Sequence, residues 1–159
     1  MKNLVTEINF SQRLLKSKFP EINGLQSTLL QAKNHVSKEP NHNKLQVIHC
    51  KETDHWVTAT TIGCETGVIE VYDSLYITLD KPSSIVVANW FYSKDQPFKI
   101  RVVRPQKQSG GADCGVFAIA FATSIAINHK VNTKFEQARM RAHLASCIEK
   151  QKLSPFPSK

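Results

Sequence analysis

Hydrophobic and polar positions follow three different rhythms along this chain. Residues 6 to 19 carry Ile8, Leu15 and Phe19 at helical spacing, with Thr6 as N-cap and Pro20 ending the run, which predicts a first helix. Residues 21 to 44 mix Gly24, Pro40 and several Asn, His and Lys around a short apolar stretch at Leu29 and Leu30, and read as connection. The segments 45–50 (LQVIHC), 56–62 (WVTATTI) and 68–73 (VIEVYD) are rich in β-branched and aromatic residues and bounded by turn-forming or charged ones, the pattern of three successive strands. After Pro82, SSIVVANWFYS is apolar around most of its circumference and suits a helix with proline in its first turn. Residues 98–103 (FKIRVV) return to strand alternation, and 106–113 (QKQSGGAD) form a polar, glycine-bearing loop. Residues 114–127 (CGVFAIAFATSIAI) are apolar on every side and rich in Ala, which predicts a central buried helix. A last helix is expected from Thr133, where Thr133 and Glu136 match a capping box, to about Lys152, with Pro155 and Pro157 ending it.

Composition adds bounds to this outline. The 159 residues, 41% hydrophobic and 21% charged, suit one folded domain with no repeat and no low-complexity tract. The uncharged run from Cys114 to Ile127 is shorter than the roughly 20 residues a membrane span needs, and the first ten residues do not read as a signal peptide. Four cysteines without a leader point to free thiols in a reducing compartment, nucleus or cytoplasm. His49, Cys50, His55 and Cys64 fit no common zinc spacing, so neither a metal nor another cofactor is expected. The net charge of +8 raises the question of nucleic acid, yet the cations are spread along the chain and no zinc finger, Gly-rich phosphate loop or RNA-recognition motif is present.

The chemistry concentrates on His55, Asp73 and Cys114. If the two strands pair around a turn at Gly63, Cys64 and Glu65, His55 falls opposite Asp73, close enough for the carboxylate to orient the imidazole. Two polar residues at strand ends have a bland explanation as well, since strand ends meet solvent. Cys114 weighs against it: it opens the apolar helix after a Gly-Gly loop, where the positive end of the helix dipole favours a thiolate and backbone N–H groups are free for an oxyanion. Gln108 on that loop can add a side-chain donor. His49, His129 and His143 lack a telling acidic partner, and Cys50, Cys64 and Cys147 read as packing or surface thiols. Trp90 is expected in the core, while Trp56 either packs or helps form a substrate groove.

The blocks HWVTATTIGCETGVIEVYDSLY (55–76) and QSGGADCGVFAIAFA (108–122) closely resemble the Ulp and sentrin-protease group, the cysteine proteases of ubiquitin-like modifiers, in the branch carried by mobile elements of animal genomes. The resemblance covers roughly residues 45 to 130. It implies an α+β papain-like fold of the Ulp and adenovirus-protease type, with a mixed or antiparallel central sheet flanked by helices. It also implies the base at His55, the orienting acid at Asp73, the oxyanion glutamine at Gln108 and the nucleophile at Cys114, with Trp56, Gly110, Gly111 and Asp113 on the substrate side. The implied reaction is cleavage after the C-terminal Gly-Gly of a modifier such as SUMO, NEDD8 or ubiquitin, as precursor or isopeptide conjugate. One departure is visible. Family members carry a Trp-Leu-x-Asp segment before the first helix, whose tryptophan roofs the tunnel for the modifier's tail opposite the tryptophan after the catalytic histidine; the corresponding residues here, Lys2 to Val5, contain neither that tryptophan nor that acid.

Two rival readings remain at this level. A chymotrypsin-like viral cysteine protease has the same order of His, acid and Cys, but would place strands where the alanine-rich apolar run stands. A catalytically weak, domesticated protease that only binds a modifier is consistent with the missing tryptophan. Lys99, Arg101, Arg104 and Lys107 cluster before Cys114, and are expected to surround the entrance to the site and draw in an acidic modifier surface.

Overall fold

The computed structural model describes residues 4–94 and 97–159. Among the described residues four α-helices and five strands follow in the order α1 (Val5–Lys18), β1 (Asn23–Gly24), β2 (Lys44–Cys50), β3 (His55–Thr60), β4 (Val68–Tyr72), α2 (Lys81–Trp90), β5 (Lys99–Val103), α3 (Cys114–Asn128) and α4 (Gln137–Lys150), the strands forming a single sheet. The five strands lie in chain order; β2, β3 and β4 are antiparallel, while β1 runs parallel to β2 and β5 parallel to β4. The fold is therefore α+β, with a mixed sheet flanked by helices, as the sequence predicts.

Strand alternation divides the core in two. Leu45, Val47, Trp56 and Tyr72 point to the face covered by α1, α3 and α4, whereas Ile48, Val57, Ala59, Ile69 and Val71 point to the face covered by Val87 and Trp90 of α2. Every residue of α3 from Cys114 to Ala126 is buried, which is why its sequence shows no polar stripe. Thr58 of β3 ties this helix to the sheet by donating to the Ala118 carbonyl at 2.6 Å. No helix among the described residues is long and apolar enough to cross a membrane.

Several boundaries differ from the sequence-based expectation. The first helix starts at Val5 rather than Thr6, and Thr6 does not cap it; buried Leu4 precedes it and fixes the start by packing. The segment taken as plain connection contains β1 and a 3₁₀ turn at Thr28–Lys33 capped by Ser27. Past its two-residue pairing with β1, the outer edge of β2 is satisfied by amide side chains: Gln12 accepts from Val47 N–H at 3.0 Å, and Gln31 exchanges two hydrogen bonds with the backbone of His49. The last helix begins at Gln137, four residues after the expected cap. Phe135 is buried and bridges Ser158, and its N–H donates to Gln106, so residues 133–136 are committed to the tail and no capping box forms at Thr133.

Lys44 is a fully buried lysine at the start of β2. Its ammonium donates to the Trp90 carbonyl at the C-terminus of α2 (2.5 Å) and to Ser37 (2.9 Å), and lies over the Phe91 ring. Burial pushes its pKa down to about 8, against the raising effect of Glu39. Truncation in Lys44→Ala removes the packed stem and leaves buried acceptors unpaired, and is expected to cost about 3 kcal/mol. Urea unfolding measures this; a loss below about 0.5 kcal/mol would show that the clamp contributes nothing beyond an ordinary surface substitution.

Candidate active site

The β3–β4 hairpin determines where His55 and Asp73 stand. Thr58 pairs with Tyr72 and Thr60 with Glu70, so the register is shifted by two residues from the one expected, and Asp73 does not lie directly opposite His55. The ladder stops at Thr60 because the turn is longer than Gly63 to Glu65; Thr60 Oγ1 accepts from Ile62 N–H, and Gly67 (φ 81°) closes the turn. His55 and Asp73 remain on one face as diagonal neighbours, a separation that long side chains span. His55 Nε2 and Asp73 Oδ1 are 2.6 Å apart, with the two residues only 2% and 1% exposed.

Asp73 is held from three directions. Its N–H donates to Val103 of β5 at 2.9 Å, and its Oδ1 accepts the N–H groups of Leu75 (2.7 Å) and Tyr76 (3.0 Å) as well as the imidazole. Aspartate suits this turn because its short side chain reaches backbone donors two and three residues on. With three donors on one oxygen the carboxylate cannot swing, so it fixes the imidazole plane and assigns the proton on Nε2 to the acid.

Cys114 is the first residue of α3 and 3% exposed. Burial pushes the thiol up, but the His55 side chain, the Trp56 and Gly115 backbone groups and the charge on the imidazole together hold it below its ordinary value. For His55, burial alone would lower the pKa; the hydrogen bonds and charges of Asp73 and Cys114 outweigh it and raise the ring to about 9. Nε2 is committed to Asp73, which leaves Nδ1, buried and without another hydrogen-bond partner, as the ring atom for the thiol. Both shifts run in the direction that favours a thiolate beside an imidazolium.

Gln108 is 4% exposed, and its amide is clamped at both ends: Ser74 Oγ donates to Oε1 at 2.5 Å, and Nε2 donates to the Gly110 carbonyl at 3.1 Å. Its N–H also donates to the Ser74 carbonyl, so the residue after Asp73 positions the loop before Cys114. Gly110 adopts φ 72° and needs glycine for it, whereas a Cβ at Gly111 would meet open space. Asp113 stands beside Cys114, but its carboxylate faces α4, where it pairs with Arg141 Nε at 2.6 Å and accepts from Gln137 at 2.8 Å. Its visible role is to anchor the loop.

Trp56 is buried beside His49, ring to ring at 4.5 Å, and lines a groove of about 500 Å³ with Val5, Leu29, Gln31, His49 and Val86. Of the four residues where the roofing tryptophan was sought, Lys2 and Asn3 lie outside the described residues. Leu4 is buried under Gly115, and Val5 reaches the groove. Gly115 went unnoticed in the sequence; a Cβ there would come within 2.9 Å of Leu4, so α1 approaches α3 where a side chain is missing. An isolated glycine in an otherwise strong helix pattern was the available signal. The sequence reading assigned no role to Ser74 or Tyr76, which follow Asp73 by one and three residues. In the cationic cluster, Arg104 donates to the Leu75 carbonyl beside the site and Arg101 pairs with Glu70 at 3.2 Å, while Lys99 and Lys107 are exposed.

The other thiols have different surroundings. Burial pushes Cys50 up to about 11, and burial with the Glu70 carboxylate pushes Cys64 up to about 12. Cys147 lies 3.3 Å from His143 Nε2, whose ring also bonds the Ser154 carbonyl, an arrangement that ties α4 to the tail. Among the described residues no group of three or more His, Cys, Asp or Glu is arranged to hold a metal ion.

The order of elements and the mixed sheet are those of the Ulp-type cysteine-protease fold, which the chain resembles. In particular, it is similar to the SUMO protease Ulp1 with its catalytic cysteine oxidised to a sulfonic acid, at a TM-score of 0.65 and 16% identity over 92% of this chain and 78% of that one. The C-terminal Ulp1 protease domain in complex with SMT3, the yeast ortholog of SUMO, matches at a TM-score of 0.65 and 17% identity over 92% and 76%. At these identities the likeness is one of fold. No protein-family model and no curated protein sequence matches the chain.

The lowered thiol gives a direct test that needs no substrate. Alkylation of Cys114 by iodoacetamide is expected to rise with pH through a midpoint below the ordinary thiol value of about 8.5. Asp73→Asn removes the carboxylate that holds the imidazolium, and should move that midpoint upward. Identical profiles for the two proteins would show that Asp73 does not support the pair.

Proposed function

We propose that the chain is a cysteine protease that cleaves after the C-terminal glycine of a ubiquitin-like modifier. The observation that carries this reading is the buried 2.6 Å bond between His55 and Asp73 beside a thiol at the start of a buried helix. The fold it shares with a protease solved in complex with SMT3 favours SUMO as the first modifier to test.

Each step has a group to perform it. His55 Nδ1 takes the Cys114 proton, and the thiolate attacks the carbonyl carbon of the terminal glycine. The oxyanion accepts from the N–H of Cys114, free of helix bonding at the first position of α3, and from the second N–H of Gln108 Nε2, whose first goes to Gly110. The imidazolium then protonates the leaving amine, releasing it and leaving a thioester. Water, deprotonated by the same imidazole, hydrolyses that thioester and returns the thiol.

A modifier carrying a C-terminal Gly-Gly electrophile should form an adduct with the wild-type chain and none with Cys114→Ser; equal labelling would refute the assignment. Gln108→Ala is expected to slow turnover of a Gly-Gly substrate about 10²-fold, while leaving iodoacetamide alkylation within about twofold because alkylation builds no oxyanion. A parallel loss in both assays would mean that Gln108 only holds the loop.

A second reading, a modifier-binding module with little turnover, is favoured by one observation: Val5, too small to roof a tail, faces the groove that Trp56 lines. Tight modifier binding without product from a Gly-Gly substrate would select it.

A further inference from the structure

Tyr76 stands between the buried His55–Asp73 pair and water. Its ring packs at 77° against the His55 imidazole with centroids 5.2 Å apart, and the residue is 46% exposed while the pair beneath it is almost fully enclosed. Its backbone is not free to drift. The Tyr76 N–H donates to Asp73 Oδ1, the same oxygen that binds the imidazole, and the preceding carbonyl, Leu75 O, accepts from Arg104 Nη1 at 3.0 Å. The residue therefore contributes twice to one hydrogen bond, with its main chain on the carboxylate and its side chain over the ring. An exposed tyrosine on an ordinary surface loop has neither tie.

We infer that Tyr76 is a positioning residue whose ring excludes water from the His55–Asp73 hydrogen bond and thereby keeps Cys114 charged and His55 in its reactive orientation. The inference rests on the reading of Cys114 and His55 as nucleophile and base. Its physical basis is the medium: an ion pair or charged hydrogen bond weakens as water replaces a low-dielectric neighbour. The groups that face His55 are Asp73 at the end of β4, Cys114 from α3, Cys50 across the β2 ladder and Tyr76 itself, with the Arg104 guanidinium on the turn behind. Cys50 is neutral in the working range, since burial holds its thiol at about 11. Uncovering the ring relaxes the shifts of the imidazole and the thiol together toward their ordinary values, which brings the imidazolium down and the thiol up.

The test compares wild type, Tyr76→Ala and Tyr76→Phe by the pH dependence of Cys114 alkylation with iodoacetamide, with far-UV circular dichroism as a check on folding. Tyr76→Ala is expected to raise the alkylation midpoint by about one pH unit, a rate about tenfold lower at any pH below both midpoints. Tyr76→Phe keeps the ring and should restore the wild-type profile, which an effect of the hydroxyl would not allow. With a Gly-Gly substrate the same change should appear in kcat, and the alkaline limb of the profile should fall earlier in Tyr76→Ala. Should Tyr76→Ala fail to fold, Tyr76→Gln, of similar reach but unable to exclude water, carries the same expectation. A low wild-type midpoint that Tyr76→Ala leaves in place overturns the inference alone, as does a Tyr76→Phe profile displaced as far as that of Tyr76→Ala. A wild-type midpoint already at the ordinary thiol value overturns the triad and this inference with it. Normal alkylation shifts in a protein that never reacts with a modifier would remove the proposed substrate and leave the inference standing.

Discussion

A carboxylate buried at 1% exposure and bonded to a buried imidazole is the interaction on which the rest of the molecule turns. Enclosing such a pair is costly unless each polar atom has a partner in fixed geometry, and removing one partner strands the other. The neighbourhood of Asp73 meets that demand at Oδ1 alone, with two main-chain N–H groups and the ring nitrogen, while Oδ2 is buried without a hydrogen-bond partner; the main chain of Asp73 itself is locked to β5. The parallel strand β5 thus serves the site as well as the sheet: it holds the acid from behind, and it leads the chain round to the loop that delivers Cys114. The turn after Asp73 cannot relax without disturbing the base, and Ser74 passes the same constraint to Gln108.

Amide side chains carry much of the remaining order. Where β1 is too short to protect the edge of β2, Gln12 and Gln31 supply the missing ladder partners. Gln106 takes the Phe135 N–H and donates to its carbonyl, Gln108 spans Ser74 and Gly110, and Gln137 joins Ser109 and Asp113. A primary amide has both a donor and an acceptor end, so one side chain can replace a peptide unit of a strand that is not there. This explains how the polar, glycine-bearing loop before Cys114 is held in one shape without regular secondary structure. It also accounts for Asp113, which carries a charge next to the thiol yet is directed away from it by Arg141.

Long periodic segments were legible in the residues alone because their periodicity reports burial directly: α3 is apolar all round and is enclosed all round. His55, Asp73 and Cys114 stood out for a different reason, since each has a local context, namely a strand end for His55 and Asp73 and a helix start after glycines for Cys114. What failed were features set by tertiary contact. Thr133 and Glu136 had the residue types of a capping box, but burial of Phe135 and its bridge to Ser158 forced extended backbone there. The hairpin register was misjudged by two residues because the turn uses Gly67 in addition to Gly63, and a shift of two preserves the face while changing the partner. His55 and Asp73 still meet, across a diagonal. The bond of Ser74 to Gln108 and the contact of the Tyr76 ring with His55 were invisible for the same reason: each depends on residues far away along the chain.

Four thiols in one short chain make the value of position plain. Cys50 is buried beside His55 and Cys64 is bonded toward a carboxylate, and both environments penalise a negative sulfur. Cys147 lies 3.3 Å from His143 Nε2, a ring that also bonds the Ser154 carbonyl and ties α4 to the tail. Cys114 alone combines a helix N-terminus, backbone N–H groups aimed at the sulfur and an imidazole held charged by a carboxylate. No one of these offsets the cost of burying a thiolate, because the desolvation of a compact anion exceeds what a single hydrogen bond or a helix end contributes. Acting together on one atom, they outweigh burial and hold the Cys114 thiol below its ordinary value.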